Sequence, residues 1–171
     1  PVFVLGEHHD EHCEDVDLVV QNPGVSSESK FLELAEKNNV MVESDVSLFF
    51  RLYPHPICAV TGTRGKSTTA ALAGGMLKSL DEKALVAGNI ITSPLEYLDD
   101  LLEKETPTPV VIELTSWHIE SLGGITRGPE IAALTNIYED HLNRYASFEA
   151  YIASKEQMFH HQSADQKAVL N

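Results

Sequence analysis

The run Cys58-Ala-Val-Thr-Gly-Thr-Arg-Gly-Lys-Ser-Thr-Thr69 constrains the fold more than any other stretch. An apolar strand turns through two glycines straight into a helix that opens on a lysine and three hydroxyl side chains. Such a strand-turn-helix is a triphosphate cradle. The N–H groups of Thr63 to Ser67 point at phosphate oxygens, the helix N-terminus adds partial positive charge, Lys66 neutralises β/γ oxygens, and Ser67 ligates Mg2+. Gly62 and Gly65 provide the tight turn and the close backbone approach. Counting back from Gly65-Lys66-Ser67 puts Val60 where the first glycine of the common phosphate-loop pattern would stand. An ordinary strand-to-helix turn with a surface lysine is therefore the competing reading. The helix that follows, 66–80, carries Leu72, Ala73, Met76, Leu77 and Leu80 as its expected apolar stripe.

On either side of this run, strands alternate with helices. Ahead of it the pattern predicts strands at 2–5, 17–21 and 40–43, and helices at 27–38 and 45–53, with a turn at Asn22-Pro23-Gly24. After it come strands at 57–62, 83–87, 109–114 and 130–136, and helices at 66–80, 94–104, 116–122 and 147–160. The alternation predicts an α/β fold with parallel sheets. Val110-Val-Ile112 and Ile131-Ala-Ala-Leu134 are continuous apolar runs, as strands covered on both faces require. Pro54-His-Pro56 breaks the helix before it and places a domain boundary there. The chain thus reads as the end of a Rossmann-like first domain, residues 1–55, followed by a truncated parallel-sheet ATPase domain of the phosphate-loop type, residues 56–171. It opens in an apolar strand and closes at Lys167-Ala-Val-Leu-Asn171, which resembles the start of another strand, so a fragment of a longer protein is expected.

Open parallel sheets bind ligands beyond the carboxyl ends of their strands. Gly62 to Ser67, Glu113, and Asn136 to His141 all fall at or just past such ends, so three chain segments converge on one rim. Glu113 ends an apolar strand, where a buried carboxylate needs compensation; Mg2+ is one candidate, pairing with Arg64 or reaching solvent the others. Glu139-Asp-His141 taken alone reads as a solvated loop.

Composition narrows the partners. A net charge of −14, with neither half basic, argues against nonspecific binding to nucleic acid or anionic membranes, so anionic substrates must be held by local devices. Cys13 and Cys58 are too few for a disulfide framework, and no run has the length of a membrane span or the pattern of a signal segment. A reducing cytoplasm is the expected setting. His8, His9, His12 and Cys13 in HHDEHC invite a metal reading, but no predicted element fixes them, and a solvated acidic loop is the preferred one.

Taken together, the TGTRGKSTT run, Val110-Val-Ile-Glu-Leu-Thr-Ser-Trp-His-Ile-Glu120 and Leu134-Thr-Asn-Ile-Tyr-Glu-Asp-His-Leu-Asn-Arg-Tyr145 resemble the ordered motifs of the ATP-dependent Mur ligases, from about Asp17 to the end. GKST and the ELTSW-type segment are most similar to the branch that adds D-glutamate to UDP-N-acetylmuramoyl-L-alanine. The resemblance implies a monomeric enzyme of peptidoglycan precursor synthesis working through an acyl phosphate. It implies that Gly62, Thr63, Arg64, Gly65, Lys66, Ser67 and Thr68 hold ATP and that two Mg2+ ions sit at Ser67, Glu113, His141 and Lys155. It further implies Asn22, Pro23, Gly24, Asn89, His118 and His141 as substrate contacts, and Lys66, His141 and Lys155 as catalytic groups. Residues 1–55 would then be the end of a UDP-substrate-binding domain, and residues 1–171 alone are expected to be inactive. Asn22 departs from the family's usual Ser, His118 from Gln, and Arg64 from Asn. Lys155 lies on the face of the last helix that Phe148, Tyr151, Ile152 and Phe159 make apolar. A snorkelling lysine is the plain reading of that position. The resemblance implies instead a lysine carbamylated by CO2, with Asp140 orienting the loop of His141. Another Mur ligase, a folylpolyglutamate synthase-like ligase and a non-catalytic nucleotide-dependent binding module are the alternatives.

Overall fold

The computed structural model describes residues 9, 12, 16–22, 24–25, 29–80, 83–88, 92–125, 127–141 and 143–171. The strand expected over 2–5, and His8 and Cys13, lie outside the described residues. A small parallel sheet pairs β1 (Leu18–Gln21) with β2 (Met41–Ser44) across α1 (Lys30–Lys37). α2 (Asp45–Leu52) follows β2 without a gap, because Ser44 caps it reciprocally. The Ser44 hydroxyl accepts from the Ser47 N–H at 3.0 Å, and the Ser47 hydroxyl accepts from the Ser44 N–H at 2.7 Å.

The larger sheet has five parallel strands in the order β4-β5-β3-β6-β7. They are β3 (Ile57–Thr61), β4 (Leu85–Gly88), β5 (Val110–Glu113), β6 (Ile131–Leu134) and β7 (Lys167–Leu170). Their connections carry α3 (Lys66–Leu80), α4 (Leu98–Leu102), α5 (Ser116–Glu120) and α6 (Phe148–His160). β3 lies between β5 and β6, with Val60 opposite Glu113 and Ala133. Central burial removes both faces of β3 and β5 from water, which is why they read as unbroken apolar runs.

One face of the sheet packs on α2, α4, α5 and α6 through Val46, Phe49, Tyr53, Ile112, Ile119 and Met158; the other packs on α3 through Val60, Ala70 and Val111. Only part of the expected stripe of α3 faces the sheet. Leu72, Met76 and Leu80 stand 65%, 71% and 85% exposed, while Ala70 and Gly74 are buried and Ala73 and Leu77 pack beside them. The helix approaches β4 so closely that a Cβ on Gly74 would collide with Val86, so small residues rather than leucines face the sheet.

Two expected helices are shorter than their patterns. The segment 94–104 opens as a 3-10 turn, Pro94–Tyr97, before α4, and the segment 116–122 is α5 followed by a 3-10 turn, Ser121–Gly124, where two glycines weaken helix continuation. The Pro54–Pro56 break interrupts the helix but not the packing. α2 on its N-terminal side shares one core with the large sheet, and the Arg127 guanidinium donates to the carbonyls of Tyr53, Pro54 and His55. None of the described helices is long and apolar enough to cross a membrane.

Candidate functional site

The loop between β3 and α3 is built from backbone conformations that favour glycine. Gly62 has φ +146° and Gly65 φ +78°. A Cβ on Gly62 would collide with the Thr135 hydroxyl, whereas one on Gly65 would meet no described atom within 4 Å, so only the backbone angle selects glycine there. Lys66 arches back over the loop, its Nζ donating to the Thr63 carbonyl at 3.0 Å.

The donor set differs from the expected one. The Thr63 N–H donates to the Asn136 carbonyl at 2.9 Å, and the Arg64 N–H to Asn136 Oδ1 at 2.9 Å. Asn136 Nδ2 and the Thr135 hydroxyl return bonds to the Arg64 carbonyl at 3.0 and 2.6 Å. Thr63 and Arg64 thus spend their amides on the segment after β6. The first intrahelical bond of α3 runs from the Thr69 N–H to the Gly65 carbonyl, which leaves the amides of Lys66, Ser67 and Thr68 as the helix-terminal donors an anion would meet.

A cavity of about 200 Å3 opens beside this loop, lined by Gly62, Lys66, Thr115, Ser116, Trp117, His141, Tyr151 and Lys155. The three expected catalytic groups, Lys66 on α3, His141 on the segment after β6 and Lys155 on α6, meet here beside Gly62. The lysine of α6 points inward: Lys155 is 2% exposed, its Nζ 4.6 Å from the centroid of the Tyr151 ring. Burial, reinforced by the Lys66 charge and opposed by Asp140 and Glu120, lowers its pKa to about 8. Tyr151 lies within hydrogen-bonding distance of the Thr63 hydroxyl, 3.2 Å away, tying α6 to the loop between β3 and α3.

Ser67, Glu113 and His118 do not line that cavity. Glu113 ends β5 opposite Val60 and Gly88; it is 4% exposed, and its Oε1 has no hydrogen-bond partner among the described residues. An orphaned buried carboxylate oxygen at the rim fits a hard cation such as Mg2+. No group of three or more His, Cys, Asp or Glu side chains gathers as metal ligands among the described residues, so such a cation would rely largely on ligand oxygens and water. His118 is buried in the cap of α5. Its Nδ1 accepts from the Thr115 N–H at 3.3 Å, which assigns the proton to Nε2, and burial lowers its pKa against the pull of Asp45 and Glu113. That ring is engaged with α5, and only Nε2 remains to meet a substrate.

His141 sits in the left-handed region at φ +53°, with its N–H donating to Asp140 Oδ1 at 2.8 Å. Trp117 lies beside it, ring centroids 5.9 Å apart. A second cavity of about 290 Å3 separates the small sheet from α5 and is lined in part by Gln21, Glu43, Ser44, Trp117, Glu120 and Arg144. Asn22 and Gly24 border this region as a turn, the Gly24 N–H donating to Asn22 Oδ1 at 2.9 Å. Pro23 and Asn89 lie outside the described residues. Sequence reasoning gave Trp117, Tyr151 and Glu120 no site role, and placed Asn136 on the rim without its bonds to Thr63 and Arg64. Tyr151, four residues before Lys155 on α6, was the detectable one, since i and i+4 share a face.

The family profile described as Mur ligase middle domain matches residues 60–171. The protein named UDP-N-acetylmuramoylalanine--D-glutamate ligase from Roseiflexus sp. (strain RS-1) is 43% identical over 99% of this chain and 36% of its own length. Those of the same name from Borreliella burgdorferi (strain ZS7) and Treponema pallidum (strain Nichols) are 40% and 38% identical over 95% and 99% of this chain. The chain spans about a third of the length of these relatives, 34–36%. Among solved structures, MurF from Acinetobacter baumannii aligns over 95% of this chain and 42% of its own with a TM-score of 0.54 at 17% identity. The ligase MPL from Neisseria meningitides aligns over 91% of this chain and 52% of its own with a TM-score of 0.56 at 20% identity. Both share the fold.

Proposed function

The chain belongs to the Mur ligase family, and from that premise we propose that it serves an ATP-dependent ligase joining D-glutamate to UDP-N-acetylmuramoyl-L-alanine in peptidoglycan precursor synthesis. The observation that carries this reading is the meeting of Lys66, His141 and Lys155 on one cavity beside the glycine turn. The relatives of that name support the choice of acceptor and donor.

In the proposed reaction the L-alanyl carboxylate attacks the γ-phosphorus of ATP, releasing ADP and leaving an acyl phosphate. The amine of D-glutamate then attacks the acyl carbon, loses a proton and expels phosphate. Both steps gather negative charge, so the chain's work is positioning and charge stabilisation. Lys66 would leave the Thr63 carbonyl for the phosphates, and the amides of Lys66, Ser67 and Thr68 would meet their oxygens. Ser67 and Glu113 would hold one Mg2+, and His141 with Lys155 a second; bound Mg2+ supplies charge neutralisation at the transferred phosphate. The larger cavity, next to Asn22 and Gly24, is the proposed place of the UDP-sugar.

Lys155 is proposed to act as its carbamate. At a pKa of about 8, far more of its amine is neutral near pH 7 than in a free lysine. That nitrogen attacks the carbon of CO2, the N–C bond forms as one C=O pair moves to oxygen, and a proton leaves nitrogen. An unwelcome cation becomes an oxygen-bearing anion suited to Mg2+. The deciding experiment measures ADP release by the full-length protein with UDP-N-acetylmuramoyl-L-alanine and each of several amino acids. Release with D-glutamate alone is expected, and Lys66→Ala should lower kcat by at least about 100-fold without unfolding the protein. Preference for another amino acid would assign a different ligase, and nucleotide binding without turnover a binding module.

A further inference from the structure

His141 occupies a left-handed backbone conformation although it is not glycine, and such a conformation persists only where its surroundings over-determine it. Its carbonyl accepts from the amides of Arg144 and Tyr145 at 2.9 and 3.1 Å. Those bonds lie in a segment that is mostly exposed, where water competes for them. What holds the two donors is a single carboxylate on α5. Arg144 NH2 donates to Glu120 Oε2 at 2.9 Å, and the Tyr145 hydroxyl donates to Glu120 Oε1 at 2.5 Å, one partner on each oxygen. Aromatic packing closes the clasp. The Arg144 guanidinium lies 5.2 Å from the centroid of the Trp117 ring, and Tyr145 packs on Tyr151 with centroids 5.2 Å apart.

We propose that Glu120 is a positioning residue acting through His141: by clasping Arg144 and Tyr145 it holds the β6–α6 loop in the conformation that faces His141 into the cavity of Lys66 and Lys155. The proposal rests on the reading of His141 as a working group of the ligase. Charge-assisted bonds to both oxygens of one carboxylate fix direction as well as distance, which a single surface ion pair does not. Trp117 lines both cavities, and Glu120 and Arg144 line the larger one, so the clasp also forms part of the partition between them.

The test is a double-mutant cycle in the full-length protein, with Glu120→Ala, His141→Ala and the pair assayed for kcat and for KM of ATP. Glu120→Ala is expected to lower kcat by about 30-fold with KM for ATP changed less than about threefold, since the loop of Lys66 is untouched. The pair should fall no further than His141→Ala alone. Losses that multiply would overturn the proposal while leaving the role of His141 intact; parental turnover of His141→Ala would instead refute that role, and the proposal with it. Should Glu120→Ala fail to fold, Tyr145→Phe enters the same cycle with an expected loss of about fivefold. A readout independent of turnover is the emission of Trp117, assigned by difference from Trp117→Phe. Glu120→Ala should shift it to longer wavelength as Arg144 leaves the ring, and an unchanged spectrum would overturn the clasp.

Discussion

A lysine with 2% of its surface exposed, stacked on a tyrosine and near a second lysine, is held against its own solvation. Its folded pKa of about 8 lies below the ordinary 10.5, so the fold penalises the ammonium form. Below pH 8 that penalty is complete. Between pH 8 and 10.5 the unfolded chain keeps a proton the folded one has lost, so stability rises with pH, and above that range the penalty is gone. Lys155→Met should therefore stabilise the protein at pH 7 by about 1–3 kcal/mol in CO2-free buffer while removing the proposed ligase activity. Urea unfolding at pH 7, 8.5 and 10 checks this, with an expected advantage that shrinks as pH rises. Equal stabilities at pH 7 would mean that the ammonium is better solvated than its burial implies.

At the scale of elements, α3 illustrates how a helix chooses its buried face. Its leucines and methionine recur at helical spacing, yet the glycine that meets Val86 and the alanines beside it lie against the sheet. Neighbouring glycines should consequently respond with opposite signs. Gly74→Ala forces a methyl into Val86 and is expected to cost about 1–3 kcal/mol. Gly75→Ala meets no described atom within 4 Å and should gain about 0.5–1 kcal/mol from helix propensity. Thermal melts of the two single variants decide the matter, and a stabilising Gly74→Ala would place α3 farther from β4.

Across the whole molecule, the small sheet is fastened to the body at a few polar points. Arg51 reaches Glu43 at 2.8 Å and the Gly124 carbonyl at 3.2 Å, and the Ser44 and Ser121 hydroxyls are 2.7 Å apart. α2, by contrast, is built into the core of the large sheet through Val46, Phe49, Phe50 and Tyr53. Phe49→Ala should then destabilise the large sheet by about 3–5 kcal/mol. Hydrogen exchange at Val60 and Val111 should accelerate with it, because one core opens as one unit. Faster exchange confined to Val19 and Val42 would instead assign α2 to the small sheet.

The order of elements, the parallel α/β class and the glycine turn between β3 and α3 were legible in the chain because each depends on local chemistry: apolar runs, proline breaks, and backbone angles that favour glycine. Lys155 was legible as an anomaly, a cation on an apolar helix face. Tertiary structure alone decided that the Thr63 and Arg64 amides serve Asn136 and that Glu120 clasps the loop of His141. Asn136 lies 72 residues from Arg64, and Glu120 is separated from Arg144 by 24. Periodicity and propensity act over a few residues, whereas these contacts exist only once the strands have brought distant segments to one rim.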